Sequence, residues 1–130
     1  MTDATATAPT VTLKMTTLDA GDVGAETAFW AGLLGWEVAH QQEEYAMLTG
    51  PAGAPALGIG LVADHQPPSW PDEGGRKQFH FDLACEDVSA AEARALELGA
   101  TLADPQPGET WRVLVSPAGH PFCLTDAANW

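Results

Sequence analysis

The chain has 130 residues, 45% of them hydrophobic, and 18 acidic residues against five basic ones give a formal net charge of −13. A chain of this length and hydrophobicity can bury a core of its own, so we expect a single domain. The acidic excess disfavours phosphate backbones and anionic membrane surfaces, so neither nucleic acid nor a membrane is an expected partner.

The cysteine content and the first residues bear on the cellular compartment. Cys85 and Cys123 lie far apart in the sequence. In a chain that can form a full core, such a pair is more typical of free thiols in a reducing compartment than of a disulfide framework. No apolar run is long enough to span a bilayer, and residues 1–9 lack the basic and apolar regions of a signal peptide. We therefore expect a cytoplasmic protein with a disordered tail over residues 1–10.

The first half of the chain predicts a strand, a helix and three further strands. Val11, Leu13 and Met15 alternate with polar residues, which is typical of a half-buried strand. Asp22 is suited to cap the N-terminus of a helix, and Gly35 is suited to end it. The further strands are predicted over residues 36–40, 45–49 and 56–63.

The second half predicts the same order of elements. A strand over residues 79–85 precedes a helix in which Ser89 and Glu92 have capping-box spacing and Gly99 closes the C-terminus. Further strands are predicted over residues 101–102, 112–116 and 122–125. Between the halves, residues 65–76 contain three prolines and two glycines, which predict a loop. Trp70 lies in the middle of that loop.

Three segments recur in the same order in the two halves. Residues 15–22 align with 80–87, both helical patterns end at Leu-Gly, and Pro-Ala-Gly-x-Pro occurs at 51–55 and again at 117–121. The offset is 65 residues for the first of these segments and 66 for the last. The sequence therefore predicts two similar modules, over residues 11–63 and 78–127, joined by a loop over 64–77.

Several of these motifs are shared with a known superfamily. They are Phe29-Trp30, Leu33-Leu34-Gly35-Trp36, His80-Phe81-Asp82-Leu83, the run 98–101 and the run 111–124. From about residue 11 onward the chain resembles the glyoxalase-like branch of the glyoxalase/bleomycin resistance protein/dioxygenase (vicinal oxygen chelate) superfamily. The resemblance implies an α+β fold of two βαβββ modules, whose eight strands form a U-shaped, partly open sheet around a cavity with the helices outside. Members include metal-dependent enzymes and proteins that sequester antibiotics, so the fold does not decide the function.

Metal-dependent members of the superfamily take their ligands from four inward positions. The resemblance places these positions at Met15, Leu57, His80 and Cys123. The two last-strand positions, Leu57 and Cys123, are each four residues beyond the glycine of the preceding turn, Gly53 and Gly119. Leucine cannot ligate a metal, and a thioether is a poor ligand for hard divalent ions. Of the four inward positions only His80 and Cys123 can ligate a metal, which is fewer than the three protein ligands that a catalytic metal needs beside its open position. Asp82, on the strand face of His80, is a third donor outside these four positions. We therefore predict no bound metal and no other cofactor.

The expected function is the binding of a small molecule, such as an antibiotic or another natural product, without a catalytic metal. Large aromatic side chains around a concave apolar site suit an apolar or aromatic ligand. The acidic balance favours a ligand that is neutral or cationic. The predicted ligand-binding residues are Met15, Thr17, Leu57, Trp70, His80, Trp111 and Cys123.

Two enzymatic alternatives use the same residues. In a metal-free lyase, isomerase or cyclase, His80 would act as a general base with Asp82 tuning its imidazole. In a divalent-metal lyase or dioxygenase, His80, Asp82 and Cys123 would hold the ion. Cys123 beside His80 could also form a thiolate–imidazolium pair. The resembling fold leaves exposed edge strands and apolar rims, from which we expect a homodimer.

Overall fold

The computed structural model describes residues 10–68 and 79–130. The first module contains β1 (Met15–Ala20), α1 (Val23–Leu34), β2 (Glu37–Gln41), β3 (Tyr45–Thr49) and β4 (Ala56–Leu61). The second contains β5 (Phe81–Cys85), α2 (Val88–Glu97), β6 (Thr101–Leu102), β7 (Arg112–Val115) and β8 (Pro121–Asp126), followed by a 3₁₀ turn (Ala127–Asn129).

The strands form two four-stranded sheets with the same topology. The first sheet has the order β1-β4-β3-β2 and the second has the order β5-β8-β7-β6. In each sheet the first strand of the module pairs in parallel with the last, and the other pairs are antiparallel. Within the described residues, no hydrogen-bonded strand pair joins the two sheets. The predicted α+β class and the two βαβββ modules are confirmed.

The strand predicted from Val11 begins only at Met15. Val11 and Leu13 are 87% and 69% exposed. The backbone N–H of Ala56 donates to the carbonyl of Lys14, but the N–H of Ala54 donates to Pro51 within the preceding turn. The apolar alternation predicted a buried face that includes Met15, but in β1 the more buried positions are Thr16, Leu18 and Ala20, and Met15 is 44% exposed. Among the described residues, the strand ladder begins at the pair Met15–Ala56.

Helix α1 begins and ends where the sequence indicated. The Asp22 carboxylate accepts a hydrogen bond from the backbone N–H of Ala25 at 3.0 Å, and Gly35 adopts the left-handed conformation with φ of 69°.

The predicted capping box of the second helix is wrong. Asp87, rather than Ser89, caps α2, because its carboxylate accepts from the backbone N–H of Ala90 at 3.0 Å. Ser89 therefore lies inside the first turn of the helix. Glu92 contacts Arg112 instead, with Arg112 Nε donating to Glu92 Oε1 at 2.6 Å.

One hydrophobic core spans both modules. The ring of Trp30 on α1 lies 5.5 Å from the ring of Phe81 and 5.2 Å from that of Phe122, measured between ring centroids. Leu48 and Ile59 from the first sheet belong to the same buried cluster. Helix α1 therefore contacts the core faces of both sheets, and burial of these side chains holds the modules together.

A buried carboxylate also joins the modules. Glu26 on α1 is fully buried and accepts hydrogen bonds from Trp30 Nε1 at 2.8 Å, Ser116 Oγ at 2.6 Å and the backbone N–H of Ala118 at 2.7 Å. Three donors compensate for the loss of water around the carboxylate. Local sequence patterns do not predict these contacts, since the partners of Glu26 in the second module are about 90 positions away.

Two histidines make reciprocal contacts at the same junction. His65, after β4, donates from Nε2 to the carbonyl of Ala118 at 2.8 Å. His120, in the turn before β8, donates from Nε2 to the carbonyl of Asp19 at 2.6 Å. A carbonyl oxygen can only accept, so both imidazoles carry a proton on Nε2. The segment after β4 thus supplies a donor to the backbone of the second module, and the second module supplies one to the backbone of the first.

Candidate functional site

A cleft of about 410 Å³ lies in the second module, beside β5, β7 and β8. Its lining combines two indoles with polar side chains from the strands and from the C-terminal turn. The lining residues are His80, Asp82, Thr110, Trp111, Cys123, Thr125, Asn129 and Trp130.

Strand alternation brings the polar side chains to this face. His80 and Asp82 are two positions apart, so their side chains point to the same face of the second sheet. Asp82 pairs with Cys123 on β8, so Cys123 lies on that face as well. The neighbouring residues Phe81 and Leu83 point the other way and pack on the buried core. Successive residues of this segment therefore alternate between the cleft on one face of the sheet and the hydrophobic core on the other.

Three side chains converge in the cleft. His80 Nε2 lies 3.3 Å from Asp82 Oδ1. One donor atom from each of His80, Asp82 and Cys123 lies within 4.8 Å of the other two. Cys123 is buried, His80 is partly buried and Asp82 is more exposed. This arrangement can orient an imidazole as a proton acceptor, or it can contribute an imidazole, a carboxylate and a thiolate to a metal ion.

The residues fit a zinc ion in kind and number. Zinc accepts nitrogen, oxygen and sulfur ligands, and three protein ligands leave one position open for water or substrate. Around a tetrahedral zinc, ligand atoms are roughly 3.3–3.8 Å apart, so the trio would close by a small rearrangement from its present separations of up to 4.8 Å. The expectation that no metal binds stays a prediction.

Two tryptophans form the aromatic part of the cleft. Trp111 precedes β7 and is 36% exposed, and Trp130 at the end of the chain is 77% exposed. Trp130 Nε1 donates to Thr125 Oγ1 at 2.8 Å, and that hydroxyl donates to the carbonyl of Leu83 at 2.9 Å. Four further lining residues were not predicted from the sequence: Thr110, Thr125, Asn129 and Trp130. Trp130 could have been found from its position, because it is an aromatic residue a few positions after the predicted strand that carries Cys123.

Three of the predicted ligand-binding residues, Met15, Thr17 and Leu57, are not among the residues that line the cleft. Met15 and Thr17 lie on β1 of the first module, and Met15 is 44% exposed. Leu57 is buried in the hydrophobic core. Trp70 lies outside the described residues. The cleft thus brings together His80, Trp111 and Cys123 from the predicted set, with Asp82.

Leu57 lies on the opposite face of β4 from the predicted one. In the first sheet Thr17 pairs with Gly58, as Asp82 pairs with Cys123 in the second. A Cβ atom on Gly58 would lie 2.7 Å from Thr17 Oγ1 and 3.1 Å from Met15 Sδ, so Gly58 faces these two side chains. Gly58, not Leu57, is the counterpart of Cys123.

The error comes from one additional residue in the first module. Cys123 follows Gly119 by four positions, whereas Gly58 follows Gly53 by five. Counting four positions from each turn glycine therefore selected Leu57. A shift of one residue moves a strand side chain to the other face of its sheet.

A comparison with family models matches residues 15–125 to the glyoxalase-like domain. The chain belongs to the glyoxalase-like domain family. The two-module repeat predicted from the sequence and the observed strand order agree with this assignment, and the resemblance to the glyoxalase/bleomycin resistance protein/dioxygenase superfamily is confirmed. A search of curated proteins finds no significant match.

Solved structures share the fold at low sequence identity. A glyoxalase/bleomycin resistance protein/dioxygenase family enzyme from Burkholderia phytofirmans is 16% identical, with a TM-score of 0.68 over 90% of this chain and 99% of that one. The trypanothione-dependent glyoxalase I of Leishmania major is 17% identical, with a TM-score of 0.66 over 92% of this chain and 89% of that one. The bleomycin-binding protein of Streptomyces verticillus, in complex with copper(II)-bleomycin, is 16% identical, with a TM-score of 0.56 over 92% and 98%.

Neither described helix is both long enough and apolar enough to cross a membrane.

Proposed function

We propose that the glyoxalase-like protein binds a planar, neutral or cationic small molecule in the cleft of its second module. The observation that carries the proposal is the combination of Trp111 and Trp130 with the carboxylate of Asp82 in one cleft. Indole rings stack on planar molecules and attract cations through their faces. The described lining contains no lysine or arginine, so a cationic ligand meets an attractive carboxylate and no fixed positive charge.

Natural products are the ligand class that one structural neighbour supports. The bleomycin-binding protein of Streptomyces verticillus shares the fold and was solved with copper(II)-bleomycin bound. The cleft volume of about 410 Å³ lies within the range of small-molecule sites. The protein would then act by sequestering an antibiotic or a similar compound, with the trio of His80, Asp82 and Cys123 supplying polar contacts.

Two dyes of opposite charge test this proposal. Proflavine is a planar cation, and 8-anilinonaphthalene-1-sulfonate is an aromatic anion. We expect proflavine to quench the tryptophan fluorescence and to bind more tightly than the sulfonate. Trp111→Ala should weaken proflavine binding by roughly 1–3 kcal/mol, the scale of a lost aromatic contact.

Leu96→Ala is the matched control, because Leu96 is an exposed apolar residue on α2 outside the cleft. Proflavine affinity should be the same in this variant as in the wild type. Failure of proflavine to bind, or equal affinity in the Trp111 and Leu96 variants, would contradict the proposal.

A second candidate function is a metal-dependent lyase or dioxygenase reaction. The observation that favours it is the convergence of His80, Asp82 and Cys123 within 4.8 Å. A bound divalent ion would act as a Lewis acid toward a substrate oxygen. His80 Nε2 and the carboxylate of Asp82 would hold or move a proton if they were not ligands.

Zinc titration by calorimetry of the dialysed protein separates this candidate from metal-free binding. One tightly held equivalent, lost in both Asp82→Asn and Cys123→Ser, would favour the metal enzyme. Absence of zinc binding, with proflavine binding intact, would favour sequestration. Turnover that survives chelation but is lost in His80→Ala would favour the metal-free enzyme.

We also propose that the protein is a cytoplasmic homodimer. Met15 and Tyr45 in the first sheet, together with Val38 on its edge strand β2, are large apolar side chains that remain exposed, and edge strands of this kind are commonly covered by another chain. Cys85 and Cys123 are not joined in a disulfide, as is usual in a reducing compartment. Sedimentation equilibrium should give twice the chain mass of 13.6 kDa. A monomer mass at micromolar concentration would contradict the dimer.

A further inference from the structure

The loop between β6 and β7 carries Trp111 and is held at its base by one side chain. Gln106 Nε2 donates to the carbonyls of Ala103 and Val113 at 2.7 and 2.8 Å, and Gln106 Oε1 accepts from the backbone N–H of Val113 at 2.8 Å. These bonds join the start of the loop to the strand that follows Trp111. A loop fixed in this way presents its side chains in a defined geometry.

Within this loop the indole of Trp111 packs on Gly108. A Cβ atom at position 108 would lie 2.3–2.5 Å from Cη2, Cζ2 and Cζ3 of that indole. Gly108 is not one of the glycines with positive φ, which are Gly35, Gly53, Gly99 and Gly119. An alanine could therefore adopt the backbone conformation of residue 108, and only the space occupied by the ring excludes it.

We infer that Gly108 is a specificity-determining residue. Because Gly108 has no side chain, the Trp111 indole can pack against it, and this position of the ring leaves room in the cleft for a wide ligand. This inference rests on the proposed function of the cleft. Trp111 lines the cleft and Gly108 does not, so Gly108 lies behind the ring. A methyl group at position 108 pushes the ring outward by about 1 Å, since ordinary contact begins near 3.4 Å. The space between Trp111 and the trio of His80, Asp82 and Cys123 then narrows.

The position of the indole is measured without a ligand by fluorine NMR. The protein labelled with 5-fluorotryptophan should give five resonances, one for each tryptophan, and Trp111→Phe identifies the one from Trp111. We expect Gly108→Ala to move that resonance and to leave the other resonances in place. The control is Gly24→Ala, because a Cβ on Gly24 meets only a carboxylate oxygen of Asp22, at 3.5 Å.

Ligand width is measured with two planar cations, proflavine with three fused rings and benzamidine with one. In Gly108→Ala we expect proflavine affinity to fall by roughly tenfold or more, and benzamidine affinity to stay within about twofold, because an overpacked site rejects the larger molecule first. Gly24→Ala should bind both probes as the wild type does. The two probes have the same charge sign, so their difference reports on width.

Each outcome decides a separate statement. An unmoved Trp111 resonance in Gly108→Ala overturns the inference, whatever the probes do. A moved resonance with equal loss of both probes overturns the size selectivity. Failure of both probes to bind the wild type overturns the proposed function and the selectivity with it, whereas the fluorine measurement still decides whether Gly108 positions the ring.

Discussion

The two modules of this protein share one topology but differ at three matched positions. Met15, Thr17 and Gly58 in the first sheet correspond to His80, Asp82 and Cys123 in the second, by sequence repeat and by strand register. The first set carries no imidazole, carboxylate or thiol, and the second carries one of each. The core faces, by contrast, remain apolar in both modules. The repeat therefore preserves what holds the fold together and concentrates the chemistry in one module.

The shared core is where a single change should affect both modules together. Trp30 is fully buried and contacts Phe81 and Phe122 across the junction. Trp30→Ala should lower the free energy of unfolding by about 3–5 kcal/mol, measured by urea denaturation. The control Trp130→Ala removes an exposed ring and should change stability by less than about 1 kcal/mol. If Trp30→Ala gave two separate transitions, the modules would not share one cooperative core.

The buried carboxylate at the junction gives the next largest effect. Glu26→Ala leaves Trp30 Nε1, Ser116 Oγ and the backbone N–H of Ala118 without their acceptor. We expect a loss of about 2–4 kcal/mol in urea denaturation, since buried donors without a partner are costly. Glu26→Gln keeps one acceptor oxygen and should lose less. Equal losses in the two variants would show that the hydrogen bonds contribute little.

Adding a side chain at Gly58 tests why the first module has glycine where the second has Cys123. Gly58→Ala should lower the free energy of unfolding by about 1–3 kcal/mol, because the new methyl group would collide with Thr17 and Met15. Gly60→Ala is the matched control on the same strand, where a Cβ meets only a methyl carbon of Thr17 at 3.6 Å. Thermal melts of both variants check the prediction. A neutral Gly58→Ala would mean that the first module could accept a cysteine as the second does.

The smallest expected effect concerns Cys85, which lies on β5 but on the opposite face from the cleft. Burial raises the pKa of the Cys85 thiol, and a hydrogen bond with the backbone of Thr125 partly opposes this. The folded state therefore favours the neutral thiol. This preference for the neutral thiol contributes to stability at pH values below the pKa of the Cys85 thiol in the unfolded chain. The contribution is lost as the pH rises through the pKa of the same thiol in the folded protein. Alkylation by iodoacetamide, followed by mass spectrometry, should label Cys85 more slowly at pH 8 than a cysteine in a denatured sample. Equal rates would contradict the raised pKa.

The sequence was informative where local patterns decide the structure. The repeat, the alternation of apolar residues and the Leu-Gly helix ends predicted two βαβββ modules. Strand alternation placed Asp82 on the face of His80, and the resemblance to the superfamily placed Cys123 near it. The prediction for Leu57 was wrong because the count from the turn glycine missed an inserted residue. Side chains alternate between the two faces of a strand, so a shift of one residue selected a side chain on the wrong face.

Other features depend on contacts that sequence spacing does not contain. Glu26 meets Ser116 only after the modules pack, and the reciprocal bonds of His65 and His120 arise at the same junction. Trp130 reaches the cleft because the chain turns after β8 and its indole donates to Thr125. Long-range packing, rather than local propensity, determines each of these contacts.

The central claim is that the second module, and not the first, carries the ligand site. Amide NMR spectra of the protein labelled with nitrogen-15 test it directly during titration with proflavine. We predict chemical-shift changes centred on Asp82, Trp111, Thr125 and Trp130 of the second module. Changes centred on Met15, Thr17 and the rest of the first sheet, or no changes at all, would contradict it.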